Sequence, residues 1–254
     1  MDQHRRLWDA WSDDFQAAWN AETAAGELPP ALIHYGPGFP EARRREFLPD
    51  LTGRDVIELG CGGGQASVGF ARTPTDRVVG VDLSAVQLGH ARELRDSYEA
   101  DAEFVAGSVT DLPVGTTEFD LAFSSRVFQM VPDLGGAFAE AARVLRPGGR
   151  FVFAVPHPFY QVFDPETHDP VRSYFGDEPA RKSIGGVDVD LLEFPHRIGD
   201  YHAALVDAGF VVDRLFEPGS DDPEYYEEDM SYKPALMANV PPTLVMRAVK
   251  RDDE

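Results

Sequence analysis

The stretch Val56-Ile57-Glu58-Leu59-Gly60-Cys61-Gly62-Gly63-Gly64-Gln65 decides how this chain is read. An apolar strand runs into a glycine-rich turn, and the residues from Gln65 to Arg72 continue as a helix. Glycine lets the backbone turn sharply and lets a ligand approach with no Cβ in the way. The amides at the start of the following helix then offer hydrogen-bond donors. A turn of this kind also serves dinucleotide enzymes, whose fingerprint asks for glycine at the sixth position. Counted from Gly60, that position is Gln65. Glu58 stands two residues before the first glycine, where it would repel a pyrophosphate and suit a cationic ligand.

Outward from this turn, strand and helix alternate. Strands are expected at 55–59, 77–82, 103–106, 119–124 and 150–155, with helices at 65–72, 84–97 and 134–145. Ser84 is placed to cap the second of these helices. A helix at 196–208 with Gly209 at its end, a strand at 210–217 and a last strand at 243–250 complete the pattern. Regular β–α alternation with apolar strands indicates a parallel sheet covered on both faces, a doubly wound α/β fold. Before it, Trp8, Trp11, Phe15 and Trp19 mark one face of a helix over 3–20, a Pro- and Gly-rich connector follows over 26–40, and a short helix over 41–48. Between Pro156 and Pro195 no period is sustained, which reads as an insertion over the sheet. The expected layout is therefore a helical cap or lid over 1–48 and one α/β domain over 49–254, with the insertion at about 156–195.

Asp82, in Val78-Val79-Gly80-Val81-Asp82-Leu83-Ser84, ends the second strand 22 residues beyond Gly60. A carboxylate there can accept two hydrogen bonds from a ribose diol. With the Glu58-Leu59-Gly60-Cys61-Gly62-Gly63-Gly64 turn, the chain resembles the class I S-adenosylmethionine-dependent methyltransferases, whose first motif reads acidic-Leu-Gly-Cys-Gly-x-Gly. The resemblance covers about 50–155 well and the last helix and two strands loosely. It implies a Rossmann-like, mostly parallel seven-stranded sheet with an antiparallel last strand. It also implies S-adenosyl-L-methionine as cofactor, with Glu58, Gly60, Cys61, Gly62 and Gly64 near its ammonium and sulfonium end and Asp82 on its ribose. In Phe104-Val105-Ala106-Gly107-Ser108-Val109-Thr110-Asp111, the family's usual Asp after glycine is replaced by Ser108. Ser108 or Asp111 is left to hold the adenine, with Leu83 and Val109 either sandwiching the purine or packing the core. After the fourth strand the resemblance places Ser124 and Arg126 near the methionine part and Phe128 near the methyl.

The acceptor side is read from the parts outside the core. Trp11 and Phe15 of the first helix and Tyr35 are candidate lid residues touching the substrate, and His157, directly after the fifth strand, is the candidate general base. His196 and His202 read as helix residues, and no His, Cys and carboxylate set has metal-ligand spacing. The aromatic insertion (Phe159, Tyr160, Phe163, Tyr174, Phe175) suits a wall around a small-molecule acceptor, whose reacting atom (O, N or C) the residues leave open. Competing readings are a non-catalytic cofactor-binding protein of the same fold and, against Gln65 and Glu58, a nicotinamide-dependent oxidoreductase.

Composition sets the limits on partners. Twenty-three basic and 44 acidic residues give a net charge of −21, which disfavours nucleic acid and anionic membrane surfaces. The opening residues lack the apolar core of a signal peptide and no run reaches spanning length, so a cytoplasmic protein is expected, its oligomeric state open. The lone cysteine, Cys61, forms no internal disulfide. Lys182, Lys233 and Lys250 are the only lysines, an acidic, Lys-poor balance that suits a halophilic source. On that reading the melting temperature rises between low and molar KCl; a flat or falling curve in differential scanning fluorimetry would reject it.

Overall fold

The computed structural model describes residues 2–25, 29–40, 43–226 and 232–252. The first two residues of the expected 41–48 helix, the end of the acidic run 221–229 and the terminal acids at 253 and 254 lie outside them.

The centre of the molecule is β1 (Asp55–Leu59), which pairs in parallel with β2 (Arg77–Asp82) on one side and β4 (Phe119–Ser125) on the other. Beyond these lie β3 (Glu103–Ala106) and β5 (Leu145–Pro156), also parallel. The last strand, β9 (Thr243–Lys250), runs antiparallel between β5 and β8 (Phe210–Phe216), giving seven strands in the order β3-β2-β1-β4-β5-β9-β8. The order reverses between β1 and β4, so a crevice opens at the carboxyl ends of these strands, where open α/β sheets bind ligands.

Side-chain alternation divides the core. Ile57, Leu59, Val79, Val81, Phe151 and Phe153 point to the face covered by α5 (Leu134–Val144) and α6 (Ile198–Asp207). Val56, Val78, Leu121, Phe123 and Val152 point to the face covered by α3 (Gln65–Ala71) and α4 (Ala85–Ser97). On the first face Phe128 meets Phe138, Phe151 and Phe153 edge-to-face at 5.0–5.7 Å and is wholly buried. At the amino edge, Arg146 bridges Asp55 and Asp120, both at 2.7 Å, tying β1, β4 and β5 together at the end opposite the crevice.

Further elements lie outside the sheet and the four helices that cover it. α1 (Asp2–Ala25) is five residues longer at its end than the aromatic pattern suggests and rests on α4. α2 (Arg44–Phe47) and α7 (Pro234–Met237) are single turns. The insertion holds a hairpin of β6 (Ala180–Lys182) and β7 (Leu191–Glu193), strands of three residues and too short to show a period.

The burial of Phe128 corrects its expected place beside the methyl: its ring is a keystone of the core. Phe128→Ala is expected to cost about 3–5 kcal/mol in urea unfolding, and Phe128→Leu much less.

Candidate active site

The glycine turn is pinned to β2. Gly60 N and Cys61 N both donate to Val81 O (2.8 and 3.0 Å), and Gly62 N donates to Asp82 Oδ2 (2.8 Å). The other oxygen of Asp82 accepts from Ser84 N (2.9 Å), so one carboxylate joins the two loops. Gly60 has φ +73°, and a Cβ there would stand 2.4 Å from Val127 Cγ2. Only glycine fits between the end of β1 and the residues leaving β4.

The electrostatics are one-sided. Glu58 is 4% exposed, accepts from Ser67 Oγ (2.5 Å) and has its pKa pushed up to about 8, chiefly by burial, with the Asp82 charge adding to it. Burial also raises Asp82, and Asp9 of α1 contributes in the same direction. Ser84 Oγ, while capping α4 through Gln87 N (3.2 Å), donates to Asp9 Oδ1 at 2.6 Å. Three carboxylates therefore converge at the crevice, and among the described residues none of them has a basic side chain in salt-bridge range. Such a donor set fits a cationic ligand and disfavours a pyrophosphate.

α1 closes over the turn through polar contacts that the aromatic pattern does not reveal. Gln16 donates to Gln87 Oε1 (2.7 Å), accepts from Gln65 Nε2 (2.5 Å), and occupies the space a Cβ of Gly63 would fill, 2.4 Å away. The legible signal is Asp9, Ser12 and Gln16 at helical spacing beside the aromatic stripe. At the other edge of α1, Gln3 and His4 bond the carbonyls of Asp190 and Leu192 at β7 (3.1 Å each). Trp8, Trp11 and Phe15, mutually packed at 5.1–5.3 Å and half-buried, stand on the helix face between those two edges.

The remaining candidates divide. Gly60, Gly62, Gly64, Asp82, Leu83, Ser108 and Arg126 all lie at the carboxyl ends of β1 to β4 or in the loops leaving them. Ser108 Oγ bonds Thr110 Oγ1 (2.8 Å) and accepts from Thr110 N (3.1 Å); Asp111 is exposed. Val109 packs in the core, unlike the half-buried Leu83. The side chain of Cys61 is buried in the core, its thiol pKa raised by burial and by the neighbouring acids, so only its backbone belongs to the turn. Ser124 is fully buried and donates to Leu59 O (2.7 Å), stitching β4 to β1. Arg126, at φ +61°, donates to Tyr232 Oη (2.9 Å) and lies over that ring.

Two acceptor-side expectations need correction. Tyr35 is 1% exposed and packs against Phe39, Phe47 and Phe123 on the α3–α4 face, a core residue in place of a lid. His157 is buried with both ring nitrogens committed: Nδ1 accepts from Phe159 N (3.1 Å) and Nε2 bonds Glu217 (2.8 Å). Burial lowers its pKa, and its place is a tie between β5 and the end of β8, leaving no nitrogen to take a proton from an acceptor. His4 and His196 are likewise lowered by burial, each bonded to a backbone carbonyl.

Residues 57–153 match a family described as a methyltransferase domain. A trans-aconitate 2-methyltransferase of Afipia carboxidovorans is 30% identical over 224 residues, covering 78% of this chain and 83% of that protein. The chain belongs to the class I S-adenosylmethionine-dependent methyltransferases. Its cofactor is accordingly S-adenosylmethionine, which the cationic preference of the crevice suits. The fold is shared with a putative methyltransferase from Listeria monocytogenes (TM-score 0.67, 21% identity, 82% of this chain and 96% of that one). It is shared equally with the [4+2]-cyclase SpnF (TM-score 0.67, 18% identity, 98% and 95%). The chain spans 32%, 41% and 51% of three other curated relatives it matches.

The raised Glu58 makes cofactor binding pH-dependent. Without ligand the group is mostly protonated at neutral pH, and a bound cation favours its ionised form, so binding releases a proton. Affinity for S-adenosylmethionine is expected to rise by up to about tenfold per pH unit toward pH 8 and then level off, measured by calorimetry. Glu58→Gln flattens the profile. The fold loses Glu58-linked stability as pH rises from the ordinary value of 4.5 through about 8, so the same variant melts higher than the parent above pH 8.

Proposed function

We propose that this chain transfers the methyl group of S-adenosylmethionine to a small organic acceptor held between α1 and the insertion. The observation that carries the reading is the convergence of Glu58, Asp82 and Asp9, with no basic partner among the described residues, at a glycine turn under an aromatic helix. When bound, S-adenosylmethionine supplies a methyl group on a positively charged sulfur. Asp82 holds the ribose diol, Ser108 and Leu83 border the adenine, and the turn with Glu58 receives the cationic end. α1 serves as the cap: Trp11 and Phe15 exclude water and wall the acceptor, with Arg126 near the methionine part of the cofactor.

The commitment of His157 favours an acceptor that is already a nucleophile at neutral pH, because a protonated hydroxyl or amine needs a base. A carboxylate meets that condition, and the Afipia relative is named for trans-aconitate, a tricarboxylate. The net charge of −21 speaks for free small molecules over nucleic acid. Among the described residues no helix is long and apolar enough to cross a membrane.

One observation favours a second reading, a protein that keeps the fold without methyl transfer: the cyclase SpnF shares nearly the whole chain's architecture. Calorimetry with S-adenosylmethionine, its demethylated product and NADH, followed by a labelled-methyl assay on metabolite extracts, separates the cases. Binding of the first two with label transfer is expected. Binding without transfer to any extract selects the second reading, and tight NADH binding alone rejects both.

A further inference from the structure

α1 is docked onto the protein more than it is packed into it. None of its described side chains joins the hydrophobic clusters on the two faces of the sheet, and among its described apolar side chains only Leu7 is fully buried. Trp8, Trp11, Phe15 and Trp19 are half-buried. The far end of the helix is tethered: Trp19 Nε1 donates to Pro30 O (3.2 Å) and its ring meets His34 at 5.7 Å, beside the buried Ala31, Leu32 and Ile33. From the start to the middle of the helix the contacts are polar. Asp9 meets Ser84, Asp13 meets His90 Nε2 (2.8 Å), Gln16 meets Gln65 and Gln87, and Gln3 and His4 reach the carbonyls at β7. Between the second half of α1 and α4 opens a cleft of about 490 Å³, exposed to solvent and lined by Gln16, Asn20, Gln65, His90 and Glu93 among others. A helix held mainly by separate hydrogen bonds, each of modest net strength, can leave and return without unfolding the sheet.

The docking point is shared with the cofactor crevice. Ser84 N donates to Asp82 Oδ1 (2.9 Å) and Ser84 Oγ donates to Asp9 Oδ1 (2.6 Å), so one serine carries the acid of the crevice and the acid of the helix. Closing α1 therefore brings a third carboxylate toward Asp82 and Glu58, and part of the rise in the Asp82 pKa comes from Asp9. Like charges brought together resist closure unless a positive charge lies among them. The methylated sulfur of S-adenosylmethionine carries such a charge. When the acceptor's electron pair forms the new bond to the methyl carbon, the old sulfur–carbon pair stays on sulfur and a neutral thioether remains. The two forms of the cofactor thus differ by one unit of charge and one methyl group. A ligand shifts a two-state element only by its difference in affinity for the two states, and here that difference is one of charge.

We propose that α1 is a charge-sensing lid with Asp9 as its sensor, closing over the positively charged cofactor and loosening once methyl transfer has left the sulfur neutral, a device that rests on the cofactor assignment and holds for any acceptor. Closure also completes the wall of Trp11 and Phe15, so the acceptor's surroundings are assembled on the loaded enzyme and come apart for release of the spent cofactor. Asp9 is a positioning residue: it acts through the helix and takes no part in bond making.

The chain's three tryptophans, Trp8, Trp11 and Trp19, all lie on α1, so intrinsic fluorescence reports on this helix alone. The test follows tryptophan emission and the hydrogen exchange of α1 amides in the full chain with three ligands, each at a saturating level set by calorimetry. They are S-adenosylmethionine, sinefungin (a protonated amine stands in place of the methylated sulfur) and S-adenosylhomocysteine. The two cationic ligands are expected to slow α1 exchange about threefold or more beyond S-adenosylhomocysteine, the scale of one exposed charge pair, and to move the emission in the same order. Asp9→Asn keeps an oxygen to accept from Ser84 Oγ and removes only the charge. It should melt close to the parent and respond equally to all three ligands. Equal slowing by S-adenosylhomocysteine in the parent, a difference that survives Asp9→Asn, or heat of binding with no change in α1 overturns the proposal. Absence of heat from all three ligands overturns the cofactor assignment, and the lid's sensing role with it.

Discussion

The carboxylate of Asp82 is the junction on which the site depends. It takes one amide from the glycine turn and one from the head of α4, so the end of β2 holds both loops at a fixed separation. Gly60 takes the left-handed conformation open to glycine where β1 ends, and its own amide ties the turn to Val81 O. Asp82 is itself partly desolvated, beside the more deeply buried Glu58, and among the described residues neither has a basic partner. Local stability is given up where a ligand's positive charge can restore it, an arrangement seen where binding is the purpose of the fold.

The second organising constraint is the sheet edge. Strand order reverses between β1 and β4, and three elements lie over that edge: α1 above the turn, the β6–β7 hairpin beside the residues leaving β4, and the start of α6 further along. The amino edge, by contrast, is closed by the ion-pair network of Arg146 with Asp55 and Asp120. One end of the sheet is built for permanence and the other for exchange.

Much of this was legible in the residues, for physical reasons. Strands buried on both faces are continuous apolar runs, and the turn needs glycine at fixed offsets, so β1, β2 and the positions of Glu58, Gly60 and Asp82 could be read directly. The corrections fall where the same residue type serves two roles. Phe128 and Tyr35 are aromatic whether they wall a pocket or fill a core, and only packing tells the two apart. His157 has the right place for a base, yet its ring is spoken for by Glu217 and by Phe159 N, partners distant or backbone and so invisible in the sequence. The polar latch of Asp9 and Gln16 was masked by the stronger aromatic period on the neighbouring face of α1. The β6–β7 hairpin, with three residues per strand, carries no period at all.

The placement of β9 has a consequence for how the molecule comes to be made. This strand, near the end of the chain, fills the gap between β5 and β8, pairing Arg150 with Val249 and Phe210 with Lys250. Until residues 243–250 have emerged, β5 presents an unpaired edge and β8 has no neighbour, so a nascent chain carries an open parallel half-sheet with aromatic cargo. Completion of the fold waits on contacts spanning about a hundred residues, so closure of the sheet comes late in this topology.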